Sequence, residues 1–378
     1  MRPEPHSRPL ELDEQPASIR EVMEVRDATE VDGVRVFRGY LRESAATVYN
    51  KLKSAFADRT VPLIQADPKE GAAIVLMPRP VEQARLERPV RPWLHWLLFG
   101  VTILTTTFAG AAHQGVNLLR QPERFAAGLP YSLSLLAILG CHELGHYFTA
   151  RYHRIRVTPP YFIPVPFALG TFGAFIQMRE PAENRRQLLD VAVAGPLAGL
   201  AVAIPALYFG LKSSTILQQV PEHATSLGGS LVSSSLLFSL ISKTALGDAL
   251  EYGAALRLSP LAFAGWLGLL VTALNLLPIG QLDGGHIARA MFGTRAGAVV
   301  SSMAQVALFL LAIFVVPSLM TWAIITFFLA GHVTPPLNDL TPLNPRRRVL
   351  AIAAFVILAL ILIPAPEGLS WGARGARL

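Results

Sequence analysis

A series of apolar runs of membrane-spanning length constrains this chain more than any other feature. Trp93 to Ala112, Pro260 to Pro278 and Gly297 to Val316 contain no Asp, Glu, Lys or Arg, and Pro130 to Ala150 and Leu188 to Leu211 contain one acidic residue each. About 20 such residues cross the hydrocarbon core of a bilayer. A short run from Pro317 to Ala330 and a last one from Val349 to Ile363 follow. The expected fold is an all-α polytopic membrane protein of about six transmembrane helices, with a seventh allowed. With 52% hydrophobic and only 16% charged residues, the chain falls in the membrane class rather than among soluble multidomain proteins.

The second run ends in Cys141-His142-Glu143-Leu144-Gly145-His146-Tyr147. Histidines four apart on a helix share a face, one turn from each other. Two imidazoles at that spacing with a Glu beside the first form a zinc pattern, in which the Glu acts on water and is not a ligand. Ionisable residues at membrane depth are costly, so this cluster is a functional candidate in its own right. Cys141 is the single cysteine, which excludes an internal disulfide and a Cys-based ligand set.

Two histidines leave a catalytic zinc one protein ligand short, with water in the fourth place. Arginines locate the rest. Arg79, Arg85, Arg88 and Arg91 precede the first span, and Arg151, Arg154 and Arg156 follow the second. Arg185 and Arg186 precede the third, Arg289 and Arg295 follow the fourth, and Arg346, Arg347 and Arg348 precede the last. With alternating spans, all these groups fall on one face, which the positive-inside rule makes cytoplasmic. The zinc motif then lies at the cytoplasmic end of its helix. Asp283, the one acidic residue between Glu251 and Asp339, lies at the same end of the fourth span and is the expected third ligand. His286 is a rival donor or a partner to one, and His332 is a weaker rival. His95, His113, His153 and His223 read as ordinary surface residues. The net charge of +7 reads as loop anchoring and not as nucleic-acid binding.

Residues 1–28, rich in Pro, Glu and Arg, read as a disordered tail. Residues 29–78 read as a small α+β N-terminal domain of order βαββ. In it, Ser44 caps a helix that aligns Val48, Leu52, Ala55 and Phe56, and residues 67–71 turn between two strands. Residues 79–92 form a Pro/Arg linker, 93–364 the transmembrane metalloprotease domain, and 365–378 a C-terminal tail. Within the membrane domain, Pro159, Pro160, Pro164 and Pro166 forbid a helix over 157–178. Gly170 and Gly173 frame a turn there, which suggests a membrane-associated β-hairpin that offers a strand edge to a peptide. Residues 212–257 read as a Ser-rich outer loop. The start of the chain shows no secretory or transit pattern, so the expected location is a bacterial cytoplasmic (inner) membrane.

His142-Glu143-x-x-His146 in one span and Asn275-x-x-Pro278-x-x-x-Leu282-Asp283-Gly284-Gly285 in a later one resemble the site-2 protease family of intramembrane zinc metalloproteases. Ala194-Gly195-Pro196-Leu197-Ala198-Gly199 is similar to that family's core helix, and Gly170-Thr171-Phe172-Gly173-Ala174-Phe175 to its hairpin. The resemblance implies that His142, His146 and Asp283 bind Zn2+ and that Glu143 is the acid/base. It also implies that Asn275, with Gly170, Thr171, Phe172 and Gly173 of the hairpin, holds the substrate. The implied partner is a transmembrane protein, such as a membrane-anchored regulator, within membrane lipid. The family's frequent PDZ insertion is not visible. A zinc transporter would place its ligands at midplane and needs no Glu143. A catalytically silent scaffold of the same fold would not need Glu143 and Asp283 intact.

Overall fold

The computed structural model describes residues 7–11, 14–31, 33–56, 60–78, 91–217, 235–247, 255–329, 331 and 334–365. The N-terminal part is a five-stranded antiparallel sheet of order β1-β2-β3-β5-β4. Its strands are β1 (Ser7–Pro9), β2 (Met23–Val31), β3 (Val34–Leu41), β4 (Thr60–Asp67) and β5 (Gly71–Pro78), joined by helices α1 (Ala17–Val22) and α2 (Ala45–Ala55). Ser44 caps α2 through Thr47 N–H, and Val48 and Leu52 are buried. The disordered tail expected over residues 1–28 is corrected: β1, α1 and the start of β2 lie within it. Leu10, Ile19, Val22, Met23 and Ala28 bury their side chains in the core around Phe37, Ile64 and Ile74. Five core residues among prolines and charges leave too sparse a pattern to read locally. The linker 79–92 and the tail 365–378 lie almost wholly outside the described residues, as does His223.

Among the described residues four helices are long and apolar enough to cross a membrane: Pro92–His113 (α3), Leu129–Tyr152 (α4, continuous with a 3-10 turn from Pro122), Arg185–Lys212 (α5) and Thr294–Phe314 (α9). Of the about six spans expected, these four combine the length and the apolarity to cross a bilayer, and the other apolar helices are shorter or begin on charges. Helix α7 (Pro260–Leu276) has 17 residues, because the chain turns at Leu277-Pro278. Helix α10 (Met320–Leu329) has 10, or about 15 Å at 1.5 Å per residue. Helix α11 (Pro345–Leu362) spends its first turn on Arg346, Arg347 and Arg348. Helices α6 (Leu236–Leu246) and α8 (Asp283–Phe292) complete the helical part. In the outer loop, β8 (Thr215–Leu217) pairs with β9 (Ala255–Arg257), and α6 lies between them in sequence.

Helix α5 is the central post. Leu189, Val193, Leu200, Leu207 and Leu211 on it are buried in one core with Leu135, Leu136 and Leu139 of α4 and Leu267, Leu269 and Ala273 of α7. Small residues set the spacing, as expected where no solvent drives helices together. A Cβ at Gly265 would lie 2.5 Å from Leu207 N, and one at Gly145 would lie 2.6 Å from Ala194 O.

The hairpin is present as β6 (Tyr161–Pro164) antiparallel to β7 (Thr171–Phe175). Gly170 closes its turn at φ +82°, whereas Gly173, at φ +98°, falls inside β7 and not at the turn. The turn is strapped to α3, because Thr105 Oγ1 donates to Gly170 O at 2.7 Å. His95 is not a surface residue. It is 7% exposed, packs at a tilt on Tyr161 with the ring centroids 3.9 Å apart and approaches Pro160 O with Nδ1 at 3.0 Å. His153 is likewise committed, to Asp190 Oδ2 at 2.9 Å.

The ends rich in arginine do lie together. Asp190, at the start of α5, accepts Arg347 Nε at 2.8 Å and Nη2 at 2.7 Å from α11, and it meets His153 just beyond α4. Arg185 donates Nε to Ala290 O of α8 at 2.7 Å. At this end residues 337–339 join the N-terminal sheet to the membrane part through main chain. Ile64 N donates to Leu337 O (2.7 Å), Asp339 N to Ile64 O (2.9 Å), Leu337 N to Ala182 O (3.0 Å) and Asn338 N to Glu183 O (2.8 Å). The Asn338 amide, 1% exposed, donates to Ala45 O at 2.8 Å and accepts from Leu340 N and Thr341 N. Asn338→Ala strands these buried groups, at a cost of about 1–3 kcal/mol. The expected result is faster hydrogen exchange at the Ile64, Leu337 and Asp339 amides, with Ile74 on the interior strand β5 unchanged.

Candidate metal centre

Helix α4 puts His142 and His146 one turn apart with their Nε2 atoms 3.1 Å from each other. Asp283 is the first residue of α8, and its Oδ2 lies 3.3 Å from both Nε2 atoms. Among the described residues this is the one group of His, Cys, Asp or Glu that could hold a metal ion. All three side chains are largely shielded from solvent.

The spacing fits zinc. Zinc–nitrogen and zinc–oxygen distances of about 2.0–2.1 Å separate the donors of a tetrahedron by roughly 3.3–3.4 Å, close to the 3.1 and 3.3 Å edges seen here. The donor chemistry agrees. His146 Nδ1 lies 2.8 Å from Val191 O, which fixes the N–H on Nδ1 and turns the Nε2 lone pair to the centre. Asp283 Oδ2 is buried with no hydrogen-bond donor. A carboxylate oxygen and imidazole lone pairs converging without protons between them call for a cation.

Helix α5 makes room for the imidazoles. A Cβ at Gly195 would lie 2.1 Å from His146 Nε2, and one at Gly199 would lie 3.2 Å from His142 Cβ. Pro196 has no N–H to give the Ala192 carbonyl, which loosens α5 at this level. Asn275, on the last turn of α7, brings Nδ2 to 3.3 Å from His142 Nε2.

Glu143 is 7% exposed and lies outside the donor triangle, on the cavity wall it shares with Ile176. These side chains line a cavity of 230 Å³ with Ala174, Phe175, Ile176, Met178, Gln281, Leu282 and His286. The expected substrate residues Gly170, Thr171, Phe172 and Gly173 do not line it. The turn is spent on α3, and Thr171 Oγ1 is spent on Ile163 O at 2.8 Å. The far end of the hairpin, Ala174 to Ile176, takes their place. His286 lines the cavity, but its Nδ1 finds no partner and it is not part of the triangle. His332 lies outside the described residues.

The model of peptidase family M50 matches residues 130–319, 190 of the 378 in the chain, and includes all three donors and Glu143. The chain belongs to peptidase family M50. Among its relatives, probable zinc metalloprotease EGY2, chloroplastic, of Oryza sativa subsp. indica is 32% identical over 345 residues, covering 89% of this chain and 62% of the rice protein. The Arabidopsis thaliana protein of the same name is 30% identical over 355 residues, covering 89% and 61%. Probable zinc metalloprotease EGY1, chloroplastic, of Arabidopsis thaliana is 35% identical over 242 residues, covering 63% and 43%. The chain thus spans about three fifths of the length of the EGY2 relatives. In this M50 chain, the three residues named from sequence converge in the fold, and the groups that support them carry no sequence signal. Val191 O and the Gly195 cradle have no motif of their own, although the small residues of Ala194 to Gly199 mark where α5 must pass close.

Gly195→Ala should damage the centre far more than Gly199→Ala. Overpacking of this kind costs typically about 1–3 kcal/mol, which is roughly 5- to 150-fold in metal affinity. Metal titration of the two variants checks the order.

Proposed function

We propose that this chain is an intramembrane zinc metalloprotease that hydrolyses a peptide bond in or near the transmembrane segment of a membrane-anchored protein. The observation that carries the reading is the buried His142–His146–Asp283 triangle beside Glu143, at the end of a helix long enough to span a membrane. These three residues would hold the metal. Zinc bound there supplies Lewis acidity toward a carbonyl and lowers the pKa of water to about 7.

The chain's own groups do the rest. Glu143, a non-ligand carboxylate facing the cavity, takes a proton from water and delivers it to the leaving amine. His146 keeps its orientation through Val191 O. Asn275 projects its amide toward the place where a reacting carbonyl would lie. A spanning helix hides its carbonyls in its own hydrogen bonds, so the substrate must unwind before it is cut. Among the described residues β7 pairs with β6 on one edge alone. Its end at Ala174 to Ile176, on the cavity wall, is where an extended substrate segment would lie.

The positive-inside rule supports placing this end of the bundle, and the N-terminal domain joined to it, on the cytoplasmic side of a bacterial inner membrane. The products would then be released toward the cytoplasm, as suits a regulator set free by cleavage.

The test uses the full chain purified in detergent and a model single-span substrate. Wild type and Glu143→Gln should each hold about one zinc, since Glu143 is not a donor. Glu143→Gln should cut roughly 10²–10⁴-fold more slowly. Removing zinc with a chelator should stop wild-type cleavage, and returning it should restore cleavage. Equal rates in wild type and Glu143→Gln would sink the assigned role, and zinc flux across vesicles without cleavage would favour a transporter.

A further inference from the structure

The turn that delivers Asp283 is clamped by two buried side chains that the chemistry above leaves unused. Helix α7 ends at Leu276 and α8 begins at Asp283, so the third donor is placed by the turn Leu277 to Leu282. That turn holds little of itself, with Ile279 N donating to Leu277 O at 2.7 Å and Leu282 N to Ile279 O at 3.1 Å. At its apex Gly280 takes φ +50°. Both polar groups of this glycine are taken by side chains from helices. Its N–H donates to Ser301 Oγ of α9 at 2.7 Å. Its carbonyl accepts from Arg289 Nη1 of α8 at 2.7 Å.

Arg289 is 8% exposed and Ser301 7%, and the guanidinium makes no ion pair among the described residues. A buried cation without a counterion is expensive. An arginine serving only as a positive anchor would reach outward to headgroups and water. This one turns inward, back along α8, to a single peptide carbonyl. Room is left for it: a Cβ at Gly297 of α9 would lie 2.6 Å from Arg289 Cα, and a Cβ at Gly285 would lie 2.4 Å from Gly280 O.

We propose that Arg289 and Ser301 are positioning residues for the metal centre, holding the Gly280 peptide so that Asp283 Oδ2 stays within reach of both imidazoles. The inference rests on reading His142, His146 and Asp283 as the metal donors. Neither side chain touches metal or substrate; both act through the backbone of the turn. Arg289 thus has a task beyond its contribution to the positive end of the bundle.

The experiment strips the purified full chain of metal and titrates it with Co2+, whose visible absorption reports the donor set and its geometry. Wild type should give the intense bands of a four-coordinate site. Arg289→Gln should bind Co2+ about 10–100-fold more weakly, the usual range for groups that orient ligands, and with a shifted spectrum. Arg289→Lys, which keeps one charged donor, should recover part of both. Ser301→Ala should weaken binding in the same direction, and Ser301→Thr, which keeps the hydroxyl, should restore it. A merely structural role would lower thermal stability and leave the bands in place. Wild-type affinity and spectrum in Arg289→Gln would overturn the proposal. Should that variant not fold, unchanged affinity and spectrum in Ser301→Ala would do so. A wild-type chain that takes up no Co2+ would overturn the metal reading itself, an outcome distinct from a wild type and a variant that bind alike.

Discussion

Two imidazole nitrogens and a carboxylate oxygen held 3.1–3.3 Å apart inside a membrane helix bundle form an arrangement that opposes itself. Three lone pairs meet where no water can separate them, and each group was taken from solvent at a cost. Such a cluster persists when the surrounding packing leaves it no alternative and when a cation completes it. Much of the membrane part reads as the means to that end: α4 supplies two donors from one face, α5 passes close enough to fix one imidazole, and the α7–α8 turn brings the third donor from more than a hundred residues away in sequence.

The close passage of α5 decides how rigid the centre is. Glycine at 195 lets the helix backbone lie against the His146 ring, and the Val191 carbonyl holds the opposite nitrogen of that ring. The imidazole is thereby confined between a wall and a hydrogen bond. Leucine-rich contacts along α5 then tie this local confinement to the main core. Packing and chemistry share one helix, so a substitution that opens the α4–α5 spacing is felt at the donors.

The donors were legible in the sequence for two reasons. Their residue types are rare at membrane depth, and the spacing of His142 and His146 matches a helical turn. Asp283 followed from charge sparsity and from the side assigned by the arginines, and the shared end of the bundle is borne out by the Asp190–Arg347–His153 cluster. Span number was less legible, because hydropathy sees composition while helix length is cut by turns such as Leu277-Pro278. The start of the N-terminal sheet was obscured because core residues such as Ile19 and Met23 stand among prolines and charges. The Asp32-Gly33 pair, flanked by alternating apolar residues, was the hairpin signal that went unused. The supports of the site could not be read at all. A carbonyl such as that of Val191 belongs to every peptide, and only the tertiary fold gives it a task.

The joint between the N-terminal sheet and the membrane part is made by Ile64, Leu337, Asn338 and Asp339, and four of its bonds run between backbone atoms. Backbone atoms are the same whatever the side chain. Side chains add to them: Leu337 is buried in the core of the N-terminal sheet, and Asp339 Oδ2 accepts from Thr294 N at 2.9 Å. Another small domain with an open strand edge of similar reach would find the same socket ready. The catalytic half of such a chain can in this way keep its form while the module joined at that end is exchanged.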